Sequence, residues 1–380
     1  MNNQLLKIAF DAKRAFLNKT GLGNYSRTTI RALARHVLQN EYFLYTPTVG
    51  EETRPLFLFS LNNIQVKTPA IAIFKSFWRS KGIIKDLKRD KIQLYHGLSQ
   101  ELPIGIKKSG IKTVVTIHDL IYLKYPKYFD WIDRKIYEWK ARNACENADL
   151  VIAVSEQTKA DLISFFNINP EKIKVVYQGW NSDFTLKEVD ALKQSVQKRY
   201  QLPQKFILNV GTIETRKNLL LVVKALKNIP ADVSLVVIGR ETEYAEKVKK
   251  LVVKEALQKR VIFLKNISFY DLPSIYHLAQ VFVYPSRYEG FGIPVLEALT
   301  SGTPVVAATG SCLEEAGGPD SFYVDPDDAV GLAEKVNLIL QNDQLRLKMK
   351  AQGFEYAKRF REENIAKNLM DVYLQVLNNA

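Results

Sequence analysis

The sequence predicts an α/β protein with two domains, each built from a parallel sheet covered by helices. At 380 residues the chain exceeds the size at which one hydrophobic core usually stops growing, and 47% apolar residues can supply two cores. Short apolar runs alternate with helical segments, as in a parallel sheet wrapped by helices. The alternation stops at a polar stretch near the middle and then restarts, which predicts one domain on each side.

The elements follow from these runs. Predicted strands of the first half lie at 5–12, 41–46, 92–96, 112–117 and 149–154, and those of the second half at 206–211, 234–239, 261–265, 281–285 and 304–308. A helix is predicted around 23–39. We divide the chain into a first domain at 1–185, a linker at 186–203, a second domain at 204–355 and a final amphipathic helix at 356–380.

A glycine-rich turn runs into a helix at SRYEGFGIPVLEAL, residues 286–299. Gly290 and Gly292 let backbone approach a ligand closely, and a helix N-terminus attracts phosphate. Glu289 precedes the turn and Glu297 lies one turn inside the helix, where carboxylates can accept hydrogen bonds from sugar or ribose hydroxyls. The stretch predicts a nucleotide-sugar site. The alternative is that the glycines only form the turn before a helix, and that the helix dipole favours a glutamate in its first turn.

This string matches the Glu-x7-Glu signature of the retaining nucleotide-sugar glycosyltransferases called group 1 or family 4, and the chain resembles that family over almost its whole length. The resemblance implies the GT-B architecture: two Rossmann-like domains facing across a cleft, with the C-terminal helix returning to the first domain. It also implies that Glu297 binds ribose and that Glu289 binds hydroxyls of the donor sugar as a catalytic residue. The backbone expected near the phosphate or sugar is that of Gly290, Phe291, Gly292 and Ile293.

A second motif, VGTIETRKNLLLVVKAL at 210–226, places Arg216 and Lys217 where a helix begins. Two cations there are disfavoured unless an anion joins them, and a diphosphate would do so. The resemblance implies that Lys217 neutralises the leaving diphosphate. Many relatives carry an arginine where this chain has Thr212, so Arg216 is expected to supply the second cation. The alternative is a solvated basic pair.

The donor is predicted to be GDP-mannose, with UDP-linked hexoses next, because the motif that begins at Gly211 resembles sequences labelled mannosyltransferases. The nucleotide base is expected to contact Arg240, Asn266, Ile267 and Ser268.

His118 and Asp119 follow an apolar strand in KTVVTIHDLIYLKYP, and carboxyl ends of strands are where such sheets place chemistry. The segment resembles the family's active-site histidine loop, which implies that His118 contacts the donor sugar and that Asp119 orients its ring. The alternative is a structural histidine. His96, at another strand end, is a candidate for the acceptor side.

Near the N-terminus, Gly21 and Gly23 precede a helix but lack the third glycine of a dinucleotide fingerprint. The resemblance implies that this loop lies against the donor diphosphate. Lys13 and Arg14 are expected to face the acceptor.

The net charge of +14 suits a nucleic acid, an anionic membrane or phosphorylated small molecules. We expect no nucleic-acid partner because none of the familiar nucleic-acid-binding modules is evident. Aromatic and basic side chains interleave at 73–91, and again from Tyr122 to Arg142, as on a helix that contacts anionic lipid. The alternative for both stretches is a core-facing helix with a solvated basic face.

No metal or other cofactor is expected. Asp325-Pro326-Asp327 spells an Asp-x-Asp, but Pro and Asp before a helix are typical of a turn and cap. Cys145 and Cys312 lack metal or redox spacing, which suits a reducing compartment. Without a secretion-signal pattern or a long apolar run, we predict a cytoplasmic location, peripheral on the inner face of a membrane.

These patterns together predict a retaining glycosyltransferase that moves a hexose from a nucleotide sugar to a glycan or lipid-linked acceptor in surface polysaccharide synthesis. Two alternatives are open: a nucleotide-sugar epimerase of the same fold, and a non-catalytic, membrane-associated binding protein.

Overall fold

A computed structural model describes residues 5–18, 20–50, 56–69, 75–185 and 190–378. The chain forms two compact units, which we call unit 1 (Met1–Gly179 with Phe360–Ala380) and unit 2 (Trp180–Arg359). Each unit has its own parallel sheet. The predicted two-domain α/β fold is therefore confirmed.

The sheet of unit 1 consists of β1 (Lys7–Asp11), β2 (Glu41–Tyr45), β3 (Ile64–Lys67), β4 (Leu94–Gly97), β5 (Lys112–Ile117), β6 (Leu150–Ala153) and β7 (Ile173–Val175). These strands lie in the order β3-β2-β1-β4-β5-β6-β7, and all neighbours are parallel. The direction of strand addition reverses between β1 and β4. Open α/β sheets bind ligands at the carboxyl ends of strands beside such a switch point.

The helices of unit 1 that precede residue 179 are α1 (Lys13–Leu17), α2 (Gly21–His36), α3 (Leu56–Phe59), α4 (Lys75–Phe77), α5 (Ile83–Arg89), α6 (Ile121–Lys124), α7 (Trp131–Asn147) and α8 (Glu156–Phe166). A π-helical turn, Trp78–Gly82, joins α4 to α5.

The basic stretch predicted at 73–91 faces the core of unit 1 with most of its apolar side chains. Ile83 and Leu87 are buried in the same cluster as strand residues of the sheet, and Trp78 packs against that cluster. Phe77 is exposed, and residues 73 and 74 lie outside the described part of the chain. The alternative interpretation, a core-facing helix with a basic outer face, therefore describes this segment.

The sheet of unit 2 consists of β8 (Phe206–Val210), β9 (Ser234–Ile238), β10 (Val261–Leu264), β11 (Val281–Tyr284), β12 (Val305–Ala308) and β13 (Phe322–Val324). Its order is β10-β9-β8-β11-β12-β13, again all parallel. The switch point of unit 2 thus lies between β8 and β11.

Helices of unit 2 are α9 (Asp190–Arg199), α10 (Leu219–Ala225), α11 (Glu243–Lys254), α12 (Leu272–Leu278), α13 (Ile293–Thr300), α14 (Leu313–Gly317), α15 (Ala329–Gln341) and α16 (Asp343–Ala357). Helix α9 occupies most of the stretch predicted as a linker. Arg199, its last residue, pairs with Asp271 at 2.6 Å and so ties α9 to the start of α12. Residues 186–189 of that stretch lie outside the described residues.

The last helix, α17 (Glu362–Asn378), packs on α2 in unit 1. The predicted return of the C-terminal helix to the first domain is confirmed. It starts later than the predicted residue 356, because α16 runs to Ala357 and a 3-10 turn, Lys358–Phe360, separates the two helices. Ala357 belongs to unit 2, where its carbonyl accepts a hydrogen bond from Trp180 Nε1 at 2.9 Å.

Candidate active site

A tight turn after β8 positions the two predicted cations of unit 2. Gly211 has φ +144°, which favours glycine. Thr215–Lys217 then form a 3-10 turn, and Asn218 at φ 58° leads into α10. Arg216 and Lys217 therefore lie at the carboxyl end of β8, beside the switch point.

The glycine-rich turn after β11 lies on the other side of that switch point. Gly292 has φ +135°, and a Cβ atom there would lie 3.0 Å from Ala316 Cβ and from a methyl group of Leu313. Only glycine fits both the backbone and the space. The turn carries Glu289 at its start and leads directly into α13.

The Glu289 carboxylate joins the two turns. Its Oε2 lies 2.7 Å from Arg216 Nη1, and its Oε1 lies 2.7 Å from Lys217 Nζ. The hydroxyls of Tyr284 and Ser286 donate to Oε1 at 3.0 and 2.7 Å. The structure thus brings together three residues that the sequence singled out, with two hydroxyl partners that it did not. Only their position could have indicated them, since Tyr284 ends β11 and Ser286 lies between that strand and Glu289.

The charges in this cluster balance. Burial by itself would raise the pKa of Glu289, but Lys217 and Arg216 outweigh it and lower the pKa to about 2, so the side chain is ionised. Arg216 also pairs with Glu214 at 2.6 Å. The anion that the two cations require is, in this structure, a protein carboxylate. A diphosphate that binds here must compete with Glu289.

Glu297, in α13, has a different environment. Burial raises its pKa to about 7, and one hydrogen bond from the Tyr276 hydroxyl, at 3.0 Å, offsets burial only in part. None of the described residues places a cation beside it to favour the charged form, so this carboxyl exchanges its proton near neutral pH. At neutral pH Glu289 is therefore ionised, whereas Glu297 is only partly ionised.

The predicted base-contacting residues follow the next strands of the same sheet. Arg240 is exposed after β9, and Asn266, Ile267 and Ser268 follow β10. Asn266 has φ 56°, and the Ser268 amide donates to the Tyr200 hydroxyl at 3.2 Å. Because parallel strands end at one edge, this loop shares the edge with the Glu289 cluster.

In unit 1, the His118 ring is buried and its two nitrogens are engaged. Nε2–H donates to the Leu98 carbonyl at 2.8 Å, and Nδ1 accepts from Gln178 Nε2 at 3.3 Å. Burial lowers its pKa to about 4, so the ring is neutral. The edge of Tyr25 packs 4.5 Å from it, centroid to centroid. In this arrangement His118 holds the loop after β5, and contact with a donor sugar stays a prediction.

His96 is fully buried. Its Nδ1 lies 2.7 Å from the Tyr373 hydroxyl on α17 and its Nε2 lies 2.8 Å from Thr116 Oγ1. Burial lowers its pKa to about 3. This ring fastens α17 to the sheet and is shielded from solvent, and its expected place on the acceptor side stays a prediction.

Gly21 and Gly23 open α2 in unit 1. A Cβ atom on Gly23 would lie 1.9 Å from the Asn18 carbonyl oxygen, so the loop crosses the helix start at a distance that only glycine allows. Lys13 and Arg14 lie on α1, both part-buried. Asp119 Oδ1 accepts from the Ile121 amide at 3.2 Å and so caps the turn after β5, beside His118.

Among the described residues, no group of three His, Cys, Asp or Glu side chains is placed to hold a metal ion. Asp325 Oδ1 accepts from the Asp327 amide at 2.7 Å, and Asp327 pairs with Arg287 at 3.0 Å, which is turn and surface chemistry. Of the helices in the described ranges, none is long and apolar enough to cross a membrane.

Comparison with known proteins decides the family. The family model "Glycosyl transferases group 1" matches residues 191–356, and "Glycosyltransferase Family 4" matches residues 19–184. The chain belongs to the group 1, family 4 glycosyltransferases. It is a glycosyltransferase enzyme, which sets aside the epimerase and binding-protein alternatives.

Relatives and solved structures agree with this family. The chain is 29% identical over 292 residues to O-antigen chain mannosyltransferase B of Escherichia coli. The aligned residues make up 76% of this chain and 75% of that protein. It is 25% identical to the serotype-specific mannosyltransferase WbdA of Escherichia coli, but it spans only 37% of that longer protein. A glycosyltransferase structure from Rickettsia africae ESF-5 superimposes with a TM-score of 0.78 at 19% identity, over 99% of this chain and 100% of that one. The GT-B fold is thereby confirmed.

The Glu289 cluster predicts how the stability of the protein depends on pH. A buried carboxyl whose pKa falls from its ordinary 4.5 to about 2 on folding contributes about 3 kcal/mol to the free energy of unfolding at neutral pH. That contribution is present above pH 4.5 and is lost as the pH falls towards 2. We expect Glu289→Gln to destabilise the protein at pH 7 and to have a deficit smaller by about 2 kcal/mol at pH 3, where less than half of the contribution remains, as measured by urea unfolding.

Glu243→Gln makes the same change on an exposed side chain of α11 and should leave stability within about 0.5 kcal/mol throughout. A Glu289→Gln deficit that is equally large at pH 7 and pH 3 would contradict the assigned ion pairs.

Proposed function

We propose that this enzyme is a retaining mannosyltransferase that takes mannose from GDP-mannose and transfers it to a glycan or lipid-linked acceptor in the synthesis of a surface polysaccharide. The observation that carries the proposal is the pair of cations, Arg216 and Lys217, held at the switch point of unit 2 beside Glu289. The names of two relatives, both mannosyltransferases and one of them for the O-antigen chain, support mannose and a surface glycan.

Departure of the nucleoside diphosphate is the step that these cations would assist. The acceptor hydroxyl oxygen forms a bond to the anomeric carbon on the face from which the diphosphate leaves, the bond to the diphosphate oxygen breaks, and the hydroxyl proton passes to that oxygen. Negative charge develops on the leaving phosphate, where preorganised Arg216 and Lys217 side chains stabilise it. Two fixed cations supply the charge that a divalent metal provides elsewhere, so we propose that no metal is required.

Glu289 would change partners during donor binding. The diphosphate takes over Lys217 and Arg216, and the freed carboxylate accepts hydrogen bonds from hydroxyls of the donor sugar. Tyr284 and Ser286 keep donating to Oε1, so the carboxylate stays in place while its other two partners change. Glu297 would accept hydrogen bonds from ribose.

A membrane-facing location on the cytoplasmic side is part of the proposal, and the structure favours α7 over the 73–91 segment for that contact. Trp131, Ile132, Ile136 and Trp139 are all exposed on α7. Basic side chains, Arg134 and Lys135 among them, share this helix. Aromatic and basic residues together suit an anionic lipid surface.

Thermal unfolding with GDP, UDP, ADP and their sugar conjugates tests the donor. We expect GDP-mannose to stabilise the protein most, with and without magnesium. A ligand at 100 times its dissociation constant adds about 2.7 kcal/mol to the free energy of unfolding. Selective stabilisation by UDP or ADP conjugates would overturn the proposed base, and a strict need for magnesium would overturn metal independence.

Lys217→Ala should lower turnover at saturating donor by about 100-fold, as the loss of a preorganised charge contact does. The assay follows release of the nucleoside diphosphate with acceptor present. Lys224→Ala removes the same charge from the exposed face of α10 and should leave turnover unchanged. Equal turnover of Lys217→Ala and wild type would remove Lys217 from the mechanism.

Nucleotide affinity should depend on pH through Glu297. Its pKa of about 7 means that the ionised form, which accepts from ribose hydroxyls, predominates above pH 7 and is depleted below it. We expect GDP to bind about tenfold more weakly at pH 6 than at pH 8, as measured by calorimetry. Glu297→Gln should bind weakly at both values. If the variant kept the wild-type pH dependence, another group would be responsible.

A further inference from the structure

Unit 1 contains a cavity of about 560 Å³ that the donor site does not use. Asp11, the last residue of β1, and Glu101, in the loop after β4, both line it. The cavity therefore lies at the switch point of the unit 1 sheet, where open α/β sheets bind ligands.

A network of ion pairs forms its floor. Arg79, on the π-helical turn, pairs with Asp11 at 2.6 Å and with Glu101 at 2.5 Å. Lys140, on α7, pairs with Glu101 at 3.1 Å. Asp11 is 3% exposed, so its pairing with Arg79 is largely shielded from solvent. These contacts satisfy both carboxylates within the protein.

Positive charge remains after that pairing. The cavity is lined by four cations, Lys13, Lys75, Arg79 and Lys140, and by two carboxylates, Asp11 and Glu101, so its net charge is +2. The Lys13 ammonium makes no ion pair with any described residue. Burial lowers the pKa of Lys13, and the charges of Arg79 and Arg14 lower it further. An anion bound beside Lys13 would relieve this repulsion, whereas a neutral saccharide would not.

The rim of the cavity is apolar and exposed. Phe77, Ile104 and Trp139 line it and are 63%, 47% and 56% exposed. Large apolar side chains grouped on a surface mark sites that contact apolar ligands or membranes. A charged floor beneath an apolar rim matches a molecule with an anionic head and an apolar chain.

We propose that this cavity binds the phosphate group of an amphipathic phosphate ester, with Lys13 and Lys75 on the phosphate and the rim on its apolar chain. The proposal rests on the proposed function only in identifying this ligand as the lipid-linked acceptor. Phosphate recognition belongs to unit 1, separately from the diphosphate site of unit 2.

Calorimetric binding of three probes to the full chain tests the head and the chain separately. Decyl phosphate, below its micellar concentration, carries both features, inorganic phosphate carries only the head, and decyl maltoside carries a chain with a neutral saccharide. We expect decyl phosphate to bind at least tenfold more tightly than either of the others. Equal binding of decyl maltoside would overturn the phosphate assignment, and equal binding of inorganic phosphate would overturn the role of the rim.

Lys13→Gln should weaken decyl phosphate binding about tenfold, because a charge-assisted contact is lost. It should not lower the melting temperature, since Lys13 forms no ion pair within the described part of the chain. Lys174→Gln makes the same change on β7, at the far edge of the same sheet, and should bind like the wild type. Equal affinities of Lys13→Gln and Lys174→Gln for decyl phosphate would overturn the proposal.

Trp139→Ala should weaken decyl phosphate binding but leave inorganic phosphate binding unchanged. Leu347→Ala removes an exposed apolar side chain from α16, in unit 2, without touching the cavity and serves as its control. If Trp139→Ala left decyl phosphate binding unchanged, the role of the rim would be overturned.

If decyl phosphate binds as expected but no sugar nucleotide does, the donor proposal fails and the cavity proposal stands. If a sugar nucleotide binds but decyl phosphate does not, the cavity proposal fails and the donor proposal stands.

Discussion

The candidate active site of unit 2 depends on the ion cluster around Glu289. One buried carboxylate bridges the turn after β8 to the turn after β11 through Arg216 and Lys217. Removing one partner from such a buried group is costly, because an unpaired charge then remains away from water. Tyr284 and Ser286 also donate to Oε1, so the two turns are fixed at the switch point before any substrate arrives.

Each unit uses the same device at its own switch point, with a different balance of charge. In unit 1, Arg79 bridges Asp11 and Glu101, and in unit 2, Arg216 bridges Glu214 and Glu289. With Lys217, the unit 2 cluster is neutral. Unit 1 keeps a net positive charge because Lys13 and Lys75 add to a network that is already satisfied. An anion can therefore join unit 1 directly, whereas in unit 2 it must displace a carboxylate.

The sequence predicted the buried strands and the residues of the donor motif, and it missed what depends on long-range contacts. Strands β3, β7 and β13 were not predicted because each is an edge strand of only three or four residues and is partly exposed. Spacing placed Arg216, Lys217 and Glu289 at sheet edges. It could not show that they pair with one another, since the cations precede the carboxylate by more than 70 positions. The sequence also could not predict that His96 is buried under α17, because its partner Tyr373 lies near the other end of the chain.

The paired state of Glu289 also bears on how product would leave. Under the proposed function, a sugar nucleotide takes the two cations from Glu289 but returns hydroxyl hydrogen bonds from its sugar to the carboxylate. A nucleoside diphosphate pairs with the cations but has no sugar hydroxyls to donate to Glu289, so the buried carboxylate keeps only its two hydroxyl partners. Burying a charge with fewer partners raises the free energy of that complex. The carboxylate that recognises the sugar before transfer thus competes for the cations afterwards, and this competition favours release of the diphosphate.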